Sequence, residues 1–367
     1  MMTRFMRAEI GGPAQSLGPF NCEGRMNFMK LARGLGLGLA LAAGALFPLH
    51  DASAQTKVKI GYIPVLGSAQ LFVIDGQGWA KDEGLDLELI RFQAGTQAIQ
   101  ALAAGQLDAY LAGVLPLLVA RSKGVDVRVV AAAAIEELQL VGRGLLLAAT
   151  EGADFKTAIA NFTATQGRKP KIAAQPQGSV PDTLLRYWLQ VENGIDPSSV
   201  DITGLDIDAA QQAFLAGSVD AAVLREPALT VVRDRVKDSK VLVTGHQFMP
   251  DQPGSVLALY KPGEPQNAAT GEKLLRLHLR ATELIKAHPD QAAPFILKAL
   301  GSGILTPAQI DRALAGSLSS FVTDPARIVD SVEKLQAFEI KLGTVKNATP
   351  VADLFDLAFY QRVAAAK

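Results

Sequence analysis

The sequence predicts an α/β protein made of two similar, doubly wound α/β lobes in tandem, joined by a two-strand hinge. The first observation is an internal repeat: residues 100–109 (QALAAGQLDA) return as residues 212–221 (QAFLAGSVDA), 212 − 100 = 112 positions later. In each copy a short amphipathic helix ends at a glycine, and an aspartate then precedes an apolar strand. The second observation is that residues 59–68 and 171–179 also match, since each has a strand, a proline and a Gly-Ser turn that begins a helix.

The first lobe alternates strands with helices, which predicts right-handed crossovers and a parallel sheet with helices on both faces. Gly84 ends the first helix, and Thr96 is the predicted N-cap of the second. The predicted strands are 57–63, 87–92, 110–114 and 127–134, and the predicted helices are 68–83, 96–104 and 116–123.

The second lobe repeats this alternation after an apolar segment, residues 144–149, which we predict as a strand passing toward it. Asp208, with Gln211 three residues later, resembles a capping box and is predicted to begin the helix that ends at Gly217. The predicted strands are 171–175, 200–203, 221–225 and 241–244, and the predicted helices are 154–165, 179–193, 208–216 and 227–236.

The last part of the chain is predicted to return to the first lobe. Strand 255–260 is placed there because the second lobe has by then used its complement of elements. The helices that follow are 272–287, 289–300, 307–316, 326–342 and 351–365. The first lobe thus comprises residues 55–145 and 250–367, the second comprises 146–249, and the two crossings form the hinge.

Residues 1–54 are predicted to be a signal peptide rather than part of the fold. Lys30 and Arg33 precede an apolar run at 35–49, and residues 52–54 (ASA) have the small-x-small pattern of a cleavage site. The run is shorter than the roughly 20 residues of a membrane-spanning helix, so we favour cleavage before Gln55 and export to the periplasm over a retained anchor. Met26 is a natural start for such a signal, which indicates that residues 1–25 are an over-long gene prediction.

The composition argues against several classes of function. The whole chain has 36 basic and 36 acidic residues, and without the leader the net charge is 31 − 33 = −2, which gives no basis for a nucleic-acid or anionic-membrane partner. The single cysteine, Cys22, lies in the leader, so the mature chain has no disulfide or thiolate nucleophile. Outside the leader, His246, His278 and His288 lack the spacing of metal ligands. We therefore predict no catalytic residue, metal or cofactor.

Ligands of open parallel sheets bind at the carboxyl ends of strands, where helix N-termini present free N–H groups. Ser68 and Ser179 could each donate a hydroxyl group to a ligand anion, or each could only cap its own helix. Arg225 could bind a carboxylate or sulfonate, or it could pair with Glu226 or another hinge carboxylate. The predicted ligand-binding residues are Pro64, Leu66, Ser68, Gln93, Thr96, Gly113, Val114 and Leu115 in the first lobe, and Gln175, Gly178, Ser179, Asp206, Arg225 and Glu226 in the second.

In the order and spacing of its motifs, the chain over about residues 57–345 resembles the nitrate/sulfonate/taurine-type solute-binding proteins of ABC importers, which are related to the thiamine-pyrimidine-precursor group. The motifs are KIGY at 59–62, EGLDL at 83–87, Ala-Gly-x-x-Asp at 104–108 and 216–220, Lys-Gly at 123–124, Gly-Ser at 178–179 and Glu-Pro at 226–227. The resemblance implies the type II periplasmic binding protein fold. It also implies a monomer that closes on a small solute and delivers it to an inner-membrane ABC permease with a cytoplasmic ATPase.

Two departures from the family bear on the ligand. Family members that bind oxyanions usually have Ser or Thr after the third strand, where this chain has GVLP at 113–116, and the usual tryptophan before Glu-Pro is Arg225. We therefore expect an organic solute with an apolar part against Val114 and Leu115 and an anionic end near Arg225. Two alternatives remain: an enzyme on the same scaffold, desulfinase-like or pyrimidine synthase-like, and a receptor for a membrane sensor.

Overall fold

The computed structural model describes residues 55–301, 304–346 and 348–366, and the predicted leader lies outside the described residues. Within this part, ten strands form two five-stranded sheets, one for each copy of the repeat. The two lobes predicted from the repeat therefore have separate sheets.

The first sheet has the strand order β2-β1-β3-β10-β4, in which β10 is Ser255–Tyr260. Strand β1 is parallel to β2 and β3, whereas β10 runs antiparallel between β3 and β4. The return of the last strand to the first lobe is thus confirmed, but the sheet is mixed rather than parallel. Its elements before the first crossing are β1 (Thr56–Tyr62), α1 (Ala69–Gln77), α2 (Trp79–Asp82), β2 (Leu85–Arg91), α3 (Gly95–Ala103), β3 (Ala109–Gly113), α4 (Leu115–Ser122) and β4 (Val127–Ala132).

The second sheet has the equivalent order β7-β6-β8-β5-β9, with β5 antiparallel between β8 and β9. Strand β10 enters the first lobe from the second, and β5 enters the second lobe from the first. Each of these entering strands is therefore the antiparallel member of its sheet. The elements of this lobe are β5 (Gln139–Arg143), α5 (Gly144–Ala149), α6 (Phe155–Gln166), β6 (Lys171–Ala174), α7 (Val180–Tyr187), β7 (Asp201–Gly204), α8 (Ile207–Leu215), β8 (Ala221–Leu224), α9 (Ala228–Arg235), β9 (Ser239–Val243) and α10 (Gly245–Phe248).

The strand predicted at 144–149 is wrong, because this segment is the helix α5. Its sequence, GLLLAA, consists mainly of strong helix formers, and a short apolar run cannot be assigned to strand or helix by periodicity. The passing strand is instead β5, which pairs in the second sheet. We propose that the first crossing lies at 133–138, earlier than the boundary predicted at 145.

Two predicted helix starts are also wrong. Helix α3 begins at Gly95 after the N-cap residue Ala94, so Thr96 lies inside the helix and caps nothing. Helix α8 begins at Ile207 after Asp206, so Asp208 lies in its first turn and forms no capping box. In both cases the backbone enters the helix one or two residues before the polar side chain that suggested a cap.

Helices after β10 (Ser255–Tyr260) cover the first lobe and reach the second. Helices α11 and α12 pack on α1, whereas α13 contacts α9 and α14 contacts α7 of the second lobe. The last helices thus form part of the surface on which the second lobe rests. They are α11 (Pro265–Ala287), α12 (Pro289–Gly301), α13 (Pro307–Ser317), α14 (Val329–Lys341) and α15 (Leu357–Ala365).

The two crossings between the lobes lie side by side and are hydrogen-bonded. The Glu136 N–H donates to the Gln252 carbonyl at 3.0 Å, and the Leu138 N–H donates to Gln252 Oε1 at 3.0 Å. Glu136 and Asp251 both have φ of 50°, in the left-handed region that few residues other than glycine adopt. These contacts join the two segments into the two-strand hinge that the sequence predicted.

Candidate ligand-binding site

Strand-end loops of the two lobes face each other, which brings predicted site residues of both lobes together. The Leu66 N–H of the first lobe donates to the Glu226 carbonyl of the second at 2.9 Å. A Cβ atom placed on Gly113 would lie 3.0 Å from Val180 Cγ2 of α7, so only a glycine allows this approach without a shift. The structure is therefore in a closed arrangement along this line of contact.

A cavity of about 230 Å³ lies between the lobes beside this line. Its wall combines apolar side chains with glutamine amides and two arginines. Four of the predicted site residues line it, namely Pro64, Gln175, Arg225 and Glu226. The other lining residues are Val65, Arg91, Ile207, Asp208, Ala210, Gln211, Gln212, Val223, Leu224, Pro227, Ala228, Leu300, Ile304 and Leu305.

Arg225, directly after β8, is the most buried charge of this cavity. Its side chain is 4% exposed, and its Nη1 donates to Glu137 Oε1 of the first crossing at 2.8 Å. The pairing with another hinge carboxylate, one of the two roles expected for Arg225, is thus present. Its Nε is buried and has no hydrogen-bond partner among the described residues. Arg225 therefore keeps an unused donor while it lines the cavity.

Glu226, which follows Arg225, is held by the start of helix α9. Its carboxylate accepts hydrogen bonds from the Thr230 N–H at 2.9 Å and Thr230 Oγ1 at 3.0 Å. Burial raises the pKa of Glu226, while these hydrogen bonds act in the opposite direction. The Glu226–Pro227 peptide bond is cis. The Glu226 carboxylate is therefore bonded to Thr230, and Arg225 pairs with Glu137 instead.

At the other side of the cavity, polar side chains of the first lobe bind the start of helix α8. Arg91 Nη2 and Gln93 Nε2 donate to Asp208 Oδ2 at 3.1 and 2.8 Å. Gln97 Nε2 lies 3.3 Å from both carboxylate oxygens of Asp206. These contacts tie the lobes together. They also place two predicted site residues, Gln93 and Asp206, in interlobe contacts rather than in the cavity wall.

The two serines do not line the cavity. Ser68 is fully buried, and its hydroxyl group donates to the Ile63 carbonyl at 2.8 Å rather than capping a helix. Ser179 Oγ accepts from the Asp182 N–H at 3.4 Å and caps α7, which is the more local of its two expected roles. The other predicted residues outside the cavity wall are Leu66, Thr96, Gly113, Val114, Leu115 and Gly178.

Val114 and Leu115, the predicted apolar wall, have 0% exposure. They are buried because Gly113 lets the loop after β3 pack directly against α7. Tyr110 fixes this loop from below, since its buried Oη donates to the Gly113 carbonyl at 2.7 Å. The apolar side of the cavity is instead formed by other residues, such as Val65 and Ile207.

Another polar contact between the lobes, between α14 and α7, is fully enclosed. Glu339 of α14 is 0% exposed, and its Oε1 accepts from Thr183 Oγ1 of α7 at 2.8 Å, while its Oε2 has no partner among the described residues. Burial, assisted by the nearby Asp182 carboxylate, raises the pKa of Glu339 to about 7. Burial also raises the pKa of Asp182, although Arg186 Nε lies 2.9 Å from it. Sequence analysis missed this acidic pair because its members are far apart in the chain.

Neither a membrane span nor a metal cluster is found in the part of the chain that the structure describes. No helix there is long and apolar enough to cross a bilayer. No group of three or more His, Cys, Asp or Glu side chains there is arranged to hold a metal ion.

Two of the known proteins with similar sequences are named for the solutes that they bind. A candidate aliphatic sulfonates-binding protein of Bacillus subtilis (strain 168) is 25% identical over 332 residues, which cover 88% of this chain and 93% of that protein. The taurine-binding periplasmic protein of Escherichia coli (strain K12) is 24% identical over 322 residues, covering 81% of this chain and 93% of that protein.

The fold matches that of a solved periplasmic binding protein. The crystal structure of the periplasmic nitrate-binding protein NrtA from Synechocystis PCC 6803 matches with a TM-score of 0.71 and 14% identity, covering 85% of this chain and 89% of that one. The periplasmic binding protein fold expected from the resemblance is thus confirmed. Residues 51–298, more than half of the chain, match the NMT1-like family, and the chain therefore belongs to that family.

Proposed function

We propose that this chain is the periplasmic solute-binding component of an ABC importer, and that it captures a small organic anion between its two lobes. The observation that carries the proposal is the interlobe cavity with the buried guanidinium of Arg225 in its wall. Relatives named for aliphatic sulfonates and taurine support a sulfonate-like solute, and a carboxylate-like one is proposed only because a guanidinium group also binds carboxylates.

The lining of the cavity suggests how such a solute binds. An anionic group would accept hydrogen bonds from the guanidinium group of Arg225, which lines the cavity. The organic part would pack against Pro64, Val65 and Ile207 rather than against Val114 and Leu115 as the sequence suggested. Gln175 would supply an amide that fixes the orientation of the solute. In typical ligand sites a small number of polar groups has this role.

The mechanism that we propose is hinge closure without bond breakage. A solute that contacts both lobes favours the closed state by its difference in affinity between the closed and open states. The closed protein, a monomer exported through a cleaved signal peptide, then delivers the solute to an inner-membrane permease with a cytoplasmic ATPase.

Thermal unfolding of the purified protein against a panel of compounds tests this function. The panel comprises alkanesulfonates, taurine, nitrate, carboxylates, amino acids and pyrimidines. A compound at 100 times its dissociation constant should stabilise the protein by about 2.7 kcal/mol. Mass spectrometry should recover that compound unchanged. Turnover of the compound would favour an enzyme, and a flat response across the whole panel would contradict the proposed ligand class.

A further inference from the structure

Glu137 lies in the first crossing, and its carboxylate contacts residues of both lobes. Its Oε1 accepts hydrogen bonds from Arg225 Nη1 at 2.8 Å and from Ser255 Oγ, at the start of β10, at 3.0 Å. The side chains of Arg225 and Glu137 are only 4% and 8% exposed. A buried ion pair is tolerated when additional hydrogen bonds satisfy its members, and Ser255 supplies one to the carboxylate.

Two glycines make room for this carboxylate. A Cβ atom on Gly67 would lie 2.3 Å from Glu137 Oε2, and a Cβ atom on Gly254 would lie 2.8 Å from Glu137 Oε1. Real Cβ atoms do not approach other atoms so closely, so neither position accepts a side chain while Glu137 is in place. Gly67 and Gly254 therefore leave the space that the Glu137 carboxylate occupies, although at Gly254 the Ala134 carbonyl, 2.5 Å from such a Cβ atom, would exclude a side chain as well.

Glu137 neutralises only one edge of the guanidinium group. Its Oε1 binds Nη1, whereas the Nε of Arg225 is buried and has no partner among the described residues. Arg225 also lines the interlobe cavity together with Pro64 and Gln175. The negative charge of Glu137 thus reduces the positive potential that Arg225 creates in the cavity, because opposite charges at hydrogen-bond distance largely cancel at longer range.

On the basis of the proposed function, we propose that Glu137 is a specificity-determining residue of the solute site. It lowers the attraction of Arg225 for solute anions and so sets how strongly the site prefers an anion to a neutral molecule of the same shape. Glu137→Gln keeps an oxygen that accepts from Nη1 but removes the negative charge. The guanidinium charge of Arg225 would then be uncompensated, and an anionic solute would supply the missing partner.

Calorimetric titration with butane-1-sulfonate and its neutral counterpart butane-1-sulfonamide tests the proposal. The ratio of the affinities for sulfonate and sulfonamide should rise at least tenfold from wild type to Glu137→Gln, which corresponds to about 1.4 kcal/mol. Glu136→Gln is the matched control, since Glu136 is the adjacent hinge carboxylate but bonds His246 Nδ1 at 2.9 Å rather than Arg225. It should leave the ratio unchanged.

A second comparison tests whether Glu137 acts through Arg225. In an Arg225→Gln background there is no guanidinium charge to compensate, so adding Glu137→Gln should leave the sulfonate-to-sulfonamide ratio of that background unchanged. This double variant buries no unpaired charge, so it also covers the case in which Glu137→Gln alone does not fold. A ratio that is unchanged in Glu137→Gln, a tenfold rise on adding Glu137→Gln to Arg225→Gln, an equal rise in Glu136→Gln, or no sulfonate binding by Glu137→Gln would overturn the role of Glu137. The proposed function fails separately, when no compound of the wider panel stabilises the wild-type protein.

Discussion

Replacing Glu339 with glutamine should abolish one component of the pH dependence of stability. Burial raises the pKa of Glu339 from 4.5 to about 7. Between these pH values the unfolded chain has released the proton and the folded chain still holds it, so folding is favoured by low pH. The contribution is fully present below pH 4.5 and is lost as the pH rises to 7, at about 1.4 kcal/mol per pH unit and about 3 kcal/mol in total.

The assay is urea unfolding of wild type and Glu339→Gln at a series of pH values from 4.5 to 8. The difference between the two curves is the observable, because His278 changes the stability of both proteins in the opposite direction over much of this range. The glutamine Oε1 still accepts from Thr183 Oγ1, so any constant offset reports packing rather than titration. Glu333→Gln, an exposed carboxyl group on the same helix, is the control. A difference curve that is flat from pH 4.5 to 7 would refute the reasoning.

Three further perturbations test the fold. Burial lowers the pKa of His278 to about 4, so the NMR titration of its ring protons should have its midpoint near pH 4. The free energy of unfolding should fall as the pH drops from 6.5 to 4, because only the unfolded chain takes up the proton in this range. A midpoint near pH 6.5 would be inconsistent with the burial of His278. Tyr110→Phe removes the buried hydrogen bond to Gly113 and should lower the free energy of unfolding by about 1–3 kcal/mol in urea titrations, whereas no change would contradict that contact. Gly113→Leu should clash with Val180 and increase the radius of gyration in small-angle X-ray scattering. Gly263→Leu is the control, because a Cβ atom there has open space around it. Equal scattering profiles of the two variants would argue against the close contact of the lobes.

The fold was largely predictable because its signals are local. The copies at 100–109 and 212–221 each encode a helix end and the start of a strand, and they correspond to the ends of α3 and α8 and the start of β3 and β8. The passage into the second lobe was not predictable in the same way. Residues 144–149 are apolar throughout, and whether such a run is a helix depends on packing that the local pattern does not contain.

The site was predictable in outline but not in its contacts. The strand-end rule named loops of both lobes, and four residues of these loops, Pro64, Gln175, Arg225 and Glu226, line the cavity. The partner of Arg225 is 88 residues away, at 225 − 88 = 137, in a segment that the sequence marked only as a crossing. The burial of Val114 and Leu115 likewise depends on the approach of α7, which no local motif specifies.

The central claim is that a solute binds between the lobes beside Arg225. The most direct test is calorimetric titration of the compound that most stabilises the wild-type protein into wild type and Arg225→Gln. We predict at least a tenfold weaker affinity for Arg225→Gln, since the variant loses the buried cation of the cavity wall and leaves the Glu137 carboxylate behind it without its ionic partner. Equal affinity of the two proteins would contradict the claim and would place the solute elsewhere on the molecule.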